Sequence, residues 1–181
     1  MNEEKFSFEL LDRYTPEVVI KNSLEQIEQA TKGHVIGNIA RYDGPIYSYT
    51  KTKVTGLAAA LGTMQTSSET VTVDIQQDLG EQNSEQNKFE VFLTVKGLEH
   101  YKYRMMFVKY STISYPVTIV MNEDLAIEYS GKKKDIFTIA SMKKLEELMD
   151  IVLNSETMIL LIQSLINESL RQAGATAGVL P

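Results

Sequence analysis

Chemistry in this chain has one conspicuous place to come from, the run His100-Tyr101-Lys102-Tyr103-Arg104-Met105-Met106-Phe107-Val108-Lys109-Tyr110, where basic groups alternate with aromatics. A strand sends successive side chains to opposite faces. That spacing puts Tyr101, Tyr103, Met105 and Phe107 on one face and His100, Lys102 and Arg104 on the other. The plain reading is a long strand with an aromatic and methionine face toward a core and a basic face toward solvent. The functional reading is an anion or ligand site, for which His100, Tyr103 and Arg104 are the candidate binding residues. Basic groups interleaved with aromatics also bind RNA, and Phe107-Val108-Lys109-Tyr110 matches the end of the RNA-recognition strand signature. Its first half fails: Tyr103 stands at the leading basic position, Arg104 at the glycine, and Met105 and Met106 at the aromatic and small positions.

Other reactive patterns dissolve on inspection. Gly-x-Ser-x-Gly, which would expose a serine on a strained strand-to-helix turn, is absent. Ser-x-x-Lys occurs at Ser48/Lys51, Ser130/Lys133 and Ser141/Lys144. The first pair sits in a strand pattern on opposite faces, and Ser141 is better explained as a helix cap. The stretch from Gly56 to Thr63 lacks the glycine spacing and the lysine of a phosphate loop. His34 and His100 have no partner at metal-ligand spacing, and the acids Asp74, Asp78, Glu81, Glu85 and Glu90 lack the spacing and glycine of a calcium loop. The absence of cysteine excludes disulfides, thiolate metal sites and a cysteine nucleophile together. No catalytic residue, metal or cofactor is therefore expected.

The elements that must position these residues form one unit: 181 residues with 43% apolar and 23% charged content suit a single domain over 1–173 with a flexible tail at 174–181. A net charge of −6 repels a phosphate backbone, so nucleic acid is not the expected partner. The acidic start Met1-Asn2-Glu3-Glu4-Lys5 lacks a signal-peptide pattern, which points to the cytoplasm. The greasiest window, Met158 to Ile166, is far shorter than the roughly 20 apolar residues a bilayer needs, so no membrane span is expected.

Thr15-Pro16-Glu17 reads as a helix start, with Ile20, Leu24 and Ile27 at helical spacing and Gly33 suited to a left-handed stop. From His34 to Ile139 the period is two, clearest in Val71, Val73 and Ile75 and in Phe89, Val91, Leu93 and Val95. The expected architecture is α+β: an N-terminal helix, a largely antiparallel meandering sheet of about six to seven strands, and two C-terminal helices packed on the sheet. The meander includes a hairpin at Asp43-Gly44-Pro45, a mobile polar loop over 78–88 and a strand over Leu125–Tyr129. Ser141 and Ser155 open the two closing helices, the second running to about Gln172. In that helix Met158, Ile159, Leu160, Leu161 and Ile162 are consecutive, so its first turns are apolar on nearly every side. Either the helix is sandwiched inside the domain, or Met158, Ile159, Leu160 and Ile162 meet a second subunit.

The order of segments, with Thr15-Pro16-Glu17, then Glu99–Tyr110, Ile113-Ser114-Tyr115-Pro116-Val117-Thr118-Ile119 and Asn154-Ser155-Glu156, resembles small bacterial α+β proteins without an assigned activity. That resemblance implies a bacterial origin and transfers no site residue. Three functions compete: a non-enzymatic interaction protein that self-associates or binds another protein, a small-ligand carrier or enzyme with a pocket between sheet and helices, and a defence, antidefence or immunity protein that presents acid to a basic partner.

Overall fold

The structure is a computed structural model that describes residues 10–48, 73–74 and 87–177. Helix α1, Pro16–Ala30, begins where the sequence places it. Thr15 is extended, but its carbonyl rather than its hydroxyl engages the first turn, accepting from the N–H groups of Val18 and Val19. Val19, Ile20, Leu24 and Ile27 are buried along one stripe, and the chain then turns left-handed at Lys32 and Gly33.

Five strands build the sheet: β1 Val35–Arg41, β4 Asn87–Val95, β5 Leu98–Tyr110, β6 Val117–Met121 and β7 Ile136–Ile139, in the order β1-β4-β5-β6-β7, every neighbour antiparallel. A separate pair, β2 Tyr47–Ser48 with β3 Val73–Asp74, lies outside this sheet. The expectation of six to seven meandering strands is corrected in two respects. β1 pairs with β4 and, among the described residues, not with those after Asp43-Gly44-Pro45, and Val35 and Ile39 line up with Val95 and Val91 on one buried face; residues 49–54 of the expected hairpin lie outside the described residues. Leu125–Tyr129 is not a strand but part of helix α2, Glu123–Ser130. Asn122 caps that helix by accepting from the Asp124 N–H at 3.1 Å, two acids occupy its positive end, and Gly131 closes it in the left-handed conformation.

Helix α3, Met142–Leu153, starts on Ser141, whose hydroxyl accepts from the Lys144 N–H, and buries Leu145, Leu148, Met149 and Val152. Helix α4, Glu156–Ala177, follows after Asn154-Ser155 and continues past Gln172 into the span expected to be a tail. Its first N–H groups have two acceptors: Ser155 Oγ takes the Met158 N–H, and the Glu128 carboxylate of α2 takes those of Glu156 and Thr157 at 2.6 and 3.1 Å. A hydrogen bond from the Thr157 side chain, and after it these backbone N–H groups, hold the Glu128 carboxyl below its ordinary value.

One face of the sheet carries α1, α3 and α4, and between them lies the main core. Helix α1 approaches β1 so closely at Gly37 that a Cβ there would stand 2.8 Å from Leu24 Cβ. No single helix among the described residues is long and apolar enough to cross a membrane. The 78–88 loop, apart from its last two residues, and the Gly56–Thr63 stretch lie outside the described residues.

Candidate functional site

The basic strand is bent by a bulge. Val91 of β4 pairs with Met106 while Phe92 pairs with Arg104, so Met105 is the extra residue. Up to the bulge the alternation holds, with Tyr103 inward and Arg104 outward. Past it the phase slips by one: Met106, Val108 and Tyr110 enter the main core, and Phe107 crosses to the outer face. The expectation that Phe107 shares a face with Tyr101 and Tyr103 is thereby corrected. Phe107 instead packs with Ile46 and Val120 in a second, smaller cluster on the outer face, joined by Tyr42 and Ile136.

Beside this cluster Glu90 of β4 is buried and accepts from two cations. Lys102 donates to Oε1, and Arg104 donates from Nε and Nη2 to Oε2 at 3.2 and 3.1 Å. Lys102 and Arg104 remain 39% and 43% exposed at their side chains, so one carboxylate organises two cations that still face water. The Arg104 guanidinium lies 4.8 Å from the Phe107 ring centroid and the Lys102 ammonium 4.0 Å from that of Phe92, so both charged groups sit over aromatic faces. A cleft of about 200 Å³ opens at the bulge, lined among others by Lys102, Tyr103, Arg104 and Asn122. Of the three candidates, the structure brings Tyr103 and Arg104 to this cleft and leaves His100 exposed away from it. Burial first, then the nearby charges of Asp124 and Tyr101, raise the Tyr103 phenol above its ordinary value. The cleft offers hydrogen-bond donors and positive charge, and among the described residues that line it there is no pairing of nucleophile and base.

One pairing of reactive types escapes sequence inspection because 135 positions separate its members: His34 Nδ1 lies 2.9 Å from Ser169 Oγ. Ser169 is buried, and its hydroxyl also lies 2.8 Å from the Lys96 carbonyl. A carbonyl only accepts, so the single hydroxyl proton goes to Lys96 and His34 Nδ1 must be the donor. Such a histidine cannot take the serine proton through Nδ1. The pair is a latch tying α4 to the start of β1 and the end of β4, not a catalytic dyad.

The residues expected at a subunit contact separate. Met158 is fully buried in the core and Ile162 packs partly against it, whereas Ile159 and Leu160 are 55% and 61% exposed. Leu160 borders a shallow groove shared with Ile127 and Thr157. A further cavity of about 360 Å³ between α1 and α3 is lined largely by polar groups, including Asn22, Gln26, Glu146 and Asp150. Among the described residues no group of three or more histidine or acidic side chains is arranged to hold a metal ion. No protein family profile matches the chain, and comparisons with curated proteins and with solved structures find no match.

Proposed function

We propose that this chain is a non-enzymatic, cytoplasmic interaction protein that self-associates through the outward side of the first turns of α4. The observation that carries the reading is the exposure of Ile159 and Leu160, 55% and 61%, on a helix whose opposite side is anchored by Met158 and Leu165. Adjacent large apolar side chains held rigidly in water, with the half-exposed Ile127 beside them, favour burial against a like surface. Substituting Leu160→Glu is expected to lower the assembly state measured by native mass spectrometry without loss of helical circular dichroism. A folded variant whose assembly matches that of the unaltered chain would refute the reading.

The cleft at the β5 bulge supports a second reading, a small anionic ligand held by Lys102, Arg104 and Tyr103. Thermal stabilisation by inorganic phosphate or a small dicarboxylate that disappears in Arg104→Ala would support it.

A further inference from the structure

The two edges of the sheet differ. β7 is four residues long and follows Lys132-Lys133-Lys134, the length and charge that discourage strand pairing. β1 is seven residues long, contains no proline or lysine, and carries its one charge at its last residue, Arg41. The direction of its backbone groups follows from two hydrogen bonds that bracket it. Lys96 N–H donates to the His34 carbonyl and Tyr42 N–H to the Lys88 carbonyl, so even-numbered residues face β4 and odd-numbered ones face away. Of the odd set, Val35 is already satisfied at both groups by the Thr31 hydroxyl, at 3.2 and 3.0 Å. Gly37, Ile39 and Arg41 present their N–H and C=O groups outward with no partner among the described residues.

We infer that this edge pairs with β1 of a second copy of the chain, antiparallel about a two-fold axis at Ile39, to make one continuous sheet. Antiparallel self-pairing about Ile39 opposes Ile39 to Ile39 and Gly37 to Arg41, so each outward N–H meets an outward C=O. No like charges face each other directly, and Arg41 lies opposite the one residue of β1 that has no side chain. Gly37 is bare because Leu24 of α1 occupies the place of its Cβ. A two-fold perpendicular to the sheet keeps the helical layers of both copies on the same side. The edge is distinct from the α4 surface, and isologous contacts at both would close into a tetramer only with their two-fold axes crossing at right angles.

Residue-resolved hydrogen exchange at high and low protein concentration tests the pairing. The amides of Gly37, Ile39 and Arg41 are expected to be protected at high concentration alongside those of Ile36, Asn38 and Ala40, and to exchange at least about tenfold faster on dilution, while the even-numbered set stays protected. In Ile39→Lys, which opposes two cations at the axis, the odd-numbered amides should exchange quickly at every concentration. Arg41→Pro, at an exposed position whose N–H faces away from β4, provides the same disruption if the lysine variant does not fold. Rapid exchange of the three amides at all concentrations in the unaltered chain overturns the inference. That result is separable from the α4 reading: a change of assembly in Leu160→Glu with these amides unprotected retains the α4 contact and removes the edge contact, and the reverse pattern does the opposite.

Discussion

At the scale of single residues, polar groups in this protein hold elements together. Ser169 and His34 fasten α4 to the sheet, Glu90 gathers Lys102 and Arg104, and Asp12 reaches from the N-terminal segment to accept from the Met142 N–H at the head of α3. Two buried tyrosines tie down the same segment and α1. The Tyr115 hydroxyl donates to the Tyr14 carbonyl at 3.2 Å, and that of Tyr110 donates to Glu17. Burial first, then the negative charges of Asp12, Glu146 and Glu17, push the Tyr115 phenol from 10.0 up to about 12. The folded chain thus retains a proton that the unfolded chain releases, and this stabilising contribution, whole below pH 10.0, is lost as pH rises toward about 12. Tyr110 is shifted in the same direction by burial and by its bond to Glu17. Tyr115→Phe is therefore expected to show a shallower alkaline fall in stability than the unaltered chain, read as urea midpoints across that window; an equally steep fall would exclude Tyr115 as a contributor.

At the scale of elements, the consecutive apolar run in α4 resolves into two unlike sides. Met158 is in the core, so Met158→Ala should destabilise by about 2–5 kcal/mol. Ile159 is 55% exposed, and Ile159→Ala should change the stability of a single chain by no more than about 0.5 kcal/mol. Equal losses for the two in denaturant titrations would contradict this placement. Much of the element pattern was legible: the start of α1, the Ser141 cap, and the β4 alternation of Phe89, Val91, Leu93 and Val95 all follow from local residue chemistry. Two errors have different causes. Leu125–Tyr129 is too short for its period to distinguish strand from helix, and the deciding signal was the cap at Asn122 with Glu123 and Asp124 behind it. On β5 the alternation was legible to Met105, but one extra residue reversed the faces beyond it, and nothing local marks where a bulge will fall.

At the scale of the whole molecule, the proposed assembly makes stability a function of concentration. Association that favours the folded chain should raise the thermal midpoint steadily as protein concentration is increased about a hundredfold, and a midpoint independent of concentration would argue for a monomer. The sequence by itself determined the α+β class, the antiparallel sheet, three of the helix positions and the residue types available for chemistry, because composition, hydrophobic period and capping residues act over a few neighbouring positions. Only the tertiary structure decided which strand β1 joins, which side of α4 faces water, that Tyr103 and Arg104 share a cleft without His100, and that His34 meets Ser169. Each of those depends on contacts between residues far apart in the chain, where many pairings satisfy the same local pattern and burial of the shared core selects among them.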